Sequence, residues 1–457
     1  MRRFEQKTPV HRFWEIEQMG AELTFRSGRV GSRAFPDEKE ESYRNAAEAK
    51  REAERLVKSR LENDWVEIVE TPTVTDFEAA LVAGDQAQWA VFADRLQAEG
   101  DPRGELIALQ HSLGKKRDAK KRTLAFVASH EDTFLGALSG HGEQLDLDWR
   151  NGYLHAAGLF CDPREASDWS AGDDDDSQVP VEDLLPVLLA HESARFLRVL
   201  AVGWPEPGSD CTYEPIVELL RHQVWPKYLD ALVLGDFSDS TALSSVARWD
   251  EEEWLEEATE LDLWPDLRSL APLTGKVATL RALSVRANLR RLELPTLTKL
   301  QSLELHVQHV EQGLVAELLA WKLPALTSLV LDFPHSPSIT PADFAQVLHG
   351  QRFPNLTRLG LCGLGPRALD AVSLAPMLPK LKVVDLSGNG LGDDEVTGLI
   401  AQRASFAHLD KLLLRRNVLS KEASRELKLA LPNVDLAHQR TRRQQDRLEQ
   451  RYDGVME

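Results

Sequence analysis

Four consecutive aspartates, Asp173 to Asp176 in the stretch SAGDDDDSQ (170–178), are the densest run of hard oxygen ligands in the chain. A calcium loop places its ligands at alternate positions and closes with a distal glutamate, so adjacent carboxylates point apart and cannot all face one ion. The run reads as a solvated loop, and no metal site is expected. The 13 histidines are dispersed. Their nearest pair, His306 and His309, has neither the spacing of a helix-face ligand pair nor that of two residues on one strand face. A G-x-S-x-G elbow, an H-E-x-x-H pair, a P-loop and a G-x-G-x-x-G turn opening a helix are all missing. No catalytic residue and no cofactor are therefore assigned. One stretch still has the composition for anion binding: in LTFRSGRVGSRAF (23–35), Arg26, Arg29 and Arg33 surround Gly28 and Gly31. Guanidinium forks suit phosphate, and glycines suit a tight turn that would tie this stretch to a neighbouring unit.

The bulk composition narrows these options. With 54 Lys+Arg against 73 Asp+Glu the formal net charge is −19, which opposes coating by nucleic acid, since phosphate binding needs a basic surface. No window approaches the roughly 18 apolar residues of a membrane span, and the opening MRRFEQKTPVHRFWEIE lacks the apolar run of a secretory signal. A cytoplasmic protein with no membrane contact is expected. Cys161, Cys211 and Cys362 show no CxxC spacing and read as reduced, buried residues. At 457 residues the chain is long enough for two to four domains or a repeat array.

Residues 1–70 must position the arginines. HRFWEIEQMG and AELTFRSGRVG alternate apolar and polar residues around Met19-Gly20, the pattern of two strands and a turn. NAAEAKREAERLVKSRLEN then has helical spacing with Asn45 as N-cap, and WVEIVE supplies a closing strand. Order, spacing and helix composition resemble the WGR domain, known from poly(ADP-ribose) polymerases and many bacterial proteins. That resemblance implies a small α+β fold and contact with DNA breaks. Ser27 stands where the family has its name-giving tryptophan, while Gly28, Arg29 and Gly31 are kept. The missing stacking surface, and about equal numbers of acidic and basic side chains in this unit, favour a structural or interdomain role for Arg26, Arg29 and Arg33, with nucleic acid the alternative.

Residues 71–125 have helical periodicity broken at Gly100-Asp101-Pro102. ADRLQAEGDPRGE resembles a segment that accompanies repeats, often leucine-rich ones, in bacterial proteins. Such repeats follow over 126–437. LRALSV, LRRLEL, LQSLEL, LTSLVL, LTRLGL, LKVVDLSGNGL and LDKLLLRRNVL begin at residues 280, 289, 300, 326, 356, 381 and 409, the later ones at a solenoid period. Weaker copies, FLRVLAVGW and YLDALVLGDF, precede them, and WRNGYLHAAGLF reads as a first strand or cap. L-x-x-L-x-L-x-x-N-x-L is complete at Leu381–Leu391 and Leu409–Leu419, with Val384 in one leucine's place and Asn389 and Asn417 in the asparagine position. The pattern resembles the ribonuclease-inhibitor type of leucine-rich repeat. The expected fold is thus α/β, a solenoid of parallel strands with helices on the convex side. Its short steps between 280, 289 and 300 imply helix-poor repeats. Acidic insertions are expected at 170–178 and 249–264, and a polar tail at 438–457.

If the leucines point inward, the alternate residues line an open, concave sheet. They are Arg286, Glu293, Glu304, His306, Asp332, Arg358, Asp385, Lys411 and Arg415. A mixed-charge array of this kind suits a protein partner, and no small-molecule substrate is evident. The expectation is a non-enzymatic scaffold, with nucleic-acid association through the WGR-like unit as the alternative.

Overall fold

The computed structural model describes residues 2–6, 12–29, 37–63, 65–68, 78, 80–114, 118–161, 178–206, 211–235, 264–293, 297–308, 310, 312–334 and 339–445. The aspartate run 173–176, Arg33, Gly31 and most of the acidic segment 249–264 lie outside them. The chain separates into two compact units, Met1–Gln88 and Trp89–Glu457.

In the first unit five strands, β1 (Arg2–Gln6), β2 (Arg12–Met19), β3 (Glu22–Arg29), β4 (Asp37–Ser42) and β5 (Val66–Ile68), form one sheet in the order β4-β3-β2-β1-β5. Gly20, at φ +62°, makes the turn between β2 and β3. Helix α1 (Ala46–Leu61) starts where Asn45 Oδ1 accepts from the Glu48 N–H at 2.9 Å. Its Ala49 and Val57 close a core with Phe4, Trp14, Ile16 and Leu23.

The second unit is a mixed α/β body built on an 11-stranded sheet. Its strands are β6 (Leu145–Arg150), β7 (Tyr153–Leu159), β8 (Val199–Val202) and β9 (Ala231–Leu234). A separate pair, β10 (Asp266–Ser269) with β12 (Asn288–Arg291), flanks β11 (Ala282–Arg286), which rejoins the large sheet. There follow β13 (Ser302–His306), β14 (Ser328–Asp332), β15 (Arg358–Cys362), β16 (Val383–Asp385), β17 (Lys411–Leu413) and β18 (Val434–Asp435). Every neighbouring pair from β7 to β18 is parallel; only β6, joined to β7 through Asn151-Gly152 at positive φ, runs antiparallel. In exact register Leu200, Leu232, Leu283, Leu303, Leu329, Leu359, Val384 and Leu412 stack across the sheet and are buried in one core with the helices. Continuous burial of this kind follows from parallel strands whose return connections cover one face.

Two sequence expectations change here. LRRLEL at 289 is not a rung of the large sheet: β11 pairs directly with β13, and Leu289 sits in β12, beside β10. The short steps thus belong to one repeat whose connection includes an extra strand. Residues 89–125 also share the large unit's core, since Leu106 packs in the same cluster as the sheet leucines, with Leu109 and Leu124 against it. The GDPRGE residues, 100–105, do structural work here. Asp101 Oδ1 caps the helix Pro102–Leu113 by accepting from the Arg103 N–H. The buried Arg103 guanidinium donates to Asp101, the Thr133 carbonyl and Ser193 Oγ. At Gly104 a Cβ would lie 2.5 Å from the Ala93 carbonyl oxygen, so only glycine permits that helix contact.

Candidate binding cleft on the sheet

The residues in the asparagine position of the repeat tie each repeat to the one before. The Leu364 N–H donates to Asn389 Oδ1 at 2.8 Å while Asn389 Nδ2 donates to the Leu361 carbonyl, also at 2.8 Å. Asn417 repeats the pattern with Leu391 N–H and the Leu386 carbonyl at 3.0 and 3.1 Å. Gln439 continues it, accepting from Leu419 N–H and donating to the Leu414 carbonyl. The expected polar tail therefore begins inside a further repeat, Leu431-x-x-Val434-x-Leu436-x-x-Gln439, whose strand is β18. Its signal was present, but glutamine occupies the asparagine position and valine a leucine position.

This framework fixes the side chains on the face opposite the leucine core. Register aligns three rows across β13 to β17. The first runs Ser302, Ser328, Arg358, Val383, Lys411; the second Glu304, Val330, Gly360, Asp385, Leu413. The third begins His306, Asp332, Cys362. Of the nine residues expected on this face, Glu304, His306, Asp332, Arg358, Asp385, Lys411 and Arg415 converge on one cleft of about 190 Å³. Val330, Val383, Leu413, Cys362, Ser387, Arg416 and His438 complete its lining. Arg286 is in line with His306 but outside the cleft lining. Glu293 is elsewhere: it follows β12 at φ +44°, is exposed, and accepts from Ser269 Oγ. Its place beside the separate strand pair is why the row assignment fails for it.

Gly360 lies between Val330 and Asp385 in the second row. A Cβ there would stand 2.9 Å from Val330 and 3.3 Å from the Asp385 side chain, so those two neighbours close over the glycine. One end is closed by Arg416, held at φ +54°, whose Nη2 reaches Asp332 Oδ2 at 3.4 Å across three strand positions. His306 Nδ1 is 3.3 Å from the same oxygen. Burial alone would raise the Asp332 pKa, but the His306 hydrogen bond and the charges of Arg416 and Arg286 hold it well below the usual range. At the other end Asp435 Oδ2 accepts from Lys411 Nζ at 3.2 Å and Arg415 Nη2 at 2.9 Å. Burial opposes ionisation there too, and is outweighed by Arg415, the Ala437 N–H and Lys411, leaving a pKa of about 2. Asp385 Oδ1 is taken by the Ser387 hydroxyl and N–H. The Cys362 thiol is pushed far up by burial and by Asp385 and Asp332, so it stays protonated. All three cysteines are free and buried.

In the first unit the arginine stretch divides. Arg26 donates to Glu38 across β3 and β4 at 3.4 Å, and that hydrogen bond and charge, with Glu15 and Glu17 nearby, raise its pKa. Ser27 lies opposite Trp14 in the register, on the face that α1 covers. Gly28 is a strand residue; a Cβ there would strike the Phe13 ring at 2.9 Å, so it serves packing and not a turn. Sequence reasoning missed Arg60, whose guanidinium sits 4.9 Å from the ring centres of both Trp14 and Trp65. Among the described residues no cluster of three or more potential metal ligands occurs, and no helix is long and apolar enough to cross a membrane.

Residues 1–72 match the WGR domain family. No curated protein matches the chain. Among solved structures, a protein from Bacteroides fragilis is similar at 17% identity and a TM-score of 0.48, covering 96% of this chain and 97% of that one. The leucine-rich repeat-containing protein LegL7 from Legionella pneumophila is similar at 16% identity and a TM-score of 0.34, over 62% of this chain and 89% of its own.

Proposed function

We propose, with the WGR match over residues 1–72 as premise, that this chain is a non-enzymatic scaffold whose second unit is a leucine-rich repeat solenoid binding a protein partner on its concave sheet face. The observation that carries the reading is the convergence of seven of the nine expected side chains, with Ser387, Arg416 and His438, on one cleft, on the sheet face away from the leucine core. A side-chain-sized cleft within a wider polar surface is the anatomy of an anchor site in a protein interface. Within this cleft the Cys362 thiol is held protonated and His306 is hydrogen-bonded to the buried Asp332 carboxylate, so neither is placed as a nucleophile or base toward an occupant.

The nucleic-acid reading draws support from the family match. Against it stand Arg26 paired to Glu38 and β4, whose Asp37, Glu38, Glu40 and Glu41 make an acidic edge.

Affinity capture with the full chain tests the scaffold reading. Val383→Tyr with Lys411→Glu fills and recharges the cleft, and is expected to release the partner. Leu374→Lys with Leu429→Lys, at exposed positions in the helix layer, is expected to retain it. A partner kept by the first pair and lost by the second would move the interface to the helices.

A further inference from the structure

Arg358 is the odd member of the cleft. Its side chain is only 22% exposed, yet its nearest carboxylate oxygen, Asp385 Oδ2, is 3.9 Å from Nη2. That is beyond hydrogen-bonding distance. Its Nε is buried without a hydrogen-bond partner among the described residues. A mostly buried guanidinium carries five donors in a planar fork, and leaving even one of them unmatched is costly. Asp385 does not turn to it because the Ser387 hydroxyl and N–H hold its Oδ1. Lys411, in the same row with Val383 between, is half-exposed and reaches Asp435 Oδ2 at 3.2 Å, which puts a second cation beside Arg358 on this face.

We infer that the cleft beside Arg358 is an anchor for a carboxylate side chain of the protein partner, gripped by the Arg358 fork with Lys411 as the second cation. This rests on the scaffold reading above. Charge complementarity selects the occupant. The fork matches a carboxylate's two oxygens, and Val330, Val383 and Leu413 offer apolar contact to the methylenes that carry it. A phosphate group fits less well: nearly two negative charges would face Glu304, Asp332 and Asp385, which line the same cleft.

The test pans a phage-displayed random peptide library on the full chain and measures selected synthetic peptides by fluorescence polarisation. Enriched peptides are expected to share one Asp or Glu. Changing that residue to its amide, or Arg358→Gln in the protein, is expected to weaken binding at least about tenfold, and the two changes together no more than either alone. Inorganic phosphate is expected to compete no better than acetate at equal concentration; stronger competition by phosphate would overturn the carboxylate assignment. Peptides blocked by Val383→Tyr but indifferent to Arg358→Gln would overturn it while leaving the scaffold reading in place. No enrichment, or binding indifferent to both variants, would overturn both. Arg358→Lys keeps the charge without the fork and is expected to recover binding only in part.

Discussion

Asn389 and Asn417 do more than end their strands. Each buried amide satisfies one N–H and one carbonyl of the preceding repeat. An alanine at either position strands two buried backbone groups, each worth about 1–3 kcal/mol when left unpaired. Asn417→Ala is therefore expected to lower the urea midpoint by an amount equivalent to about 2–4 kcal/mol at unchanged m-value. A loss below 1 kcal/mol would mean that the ladder carries no stability. Acid stability tests a second residue. The folded pKa of Asp435, about 2, is depressed below the roughly 3.9 of an unfolded aspartate. Its contribution is then fully present above the unfolded value and is lost as pH falls through that window to the folded one. Asp435→Asn is expected to flatten the fall in stability between about pH 4 and pH 2 relative to the parent chain; parallel curves would contradict the pairing with Lys411 and Arg415. Periodicity made the two asparagines readable beforehand. It did not reveal Arg416, whose left-handed backbone and reach to Asp332 are set by tertiary geometry between residues 84 positions apart.

At the scale of elements, the strands that carry a full L-x-x-L-x-L were readable because their leucines alternate at the strand period and recur at the repeat period. LRRLEL satisfied the same template and nonetheless joined β10, since a six-residue pattern specifies a buried strand face without specifying its neighbour. Glu293 was misplaced with it. Gly28 was likewise taken for a turn residue, when the Phe13 ring across the hairpin is what excludes a Cβ. The cleft itself was half legible: seven of its lining residues follow from counting alternate positions, but Arg416 and His438, both at positive φ, join it through tertiary geometry that the pattern does not carry. Helix contact in the second unit offers a direct check. The new methyl of Gly104→Ala would meet the Ala93 carbonyl and the Gln97 N–H of the preceding helix, both backbone. Backbone cannot rotate away, so the helices must separate, and a loss of about 1–3 kcal/mol is expected in thermal or denaturant unfolding. Gly142→Ala, with nothing within 4 Å of the new methyl, is the matched control.

The charge of the whole molecule separates the two kinds of partner. At −19 the chain repels a polyanion at long range, and Arg26 of the WGR-like stretch already has Glu38 as its counter-ion. Contact with duplex ends would need several phosphates neutralised, each contributing to a steep fall of affinity with salt. The full chain is therefore expected to leave a nicked DNA duplex unbound at physiological salt in a gel-shift or polarisation assay. Binding that falls with a log–log salt slope of several units, and is abolished by Arg29→Ala, would instead establish the first unit as a nucleic-acid reader. An acidic protein segment faces a different balance. It too is repelled at a distance, but a few residues carry far less charge than a duplex, and at contact Arg358 and Lys411 act over a few ångströms in a partly desolvated cleft, where screening is weak. Added salt should then quicken the association of such a segment by screening the long-range repulsion, while dissociation quickens only slightly, an outcome stopped-flow fluorescence resolves. Association that slows monotonically with salt would show that the partner approaches a basic surface, and would place the interface somewhere other than this cleft.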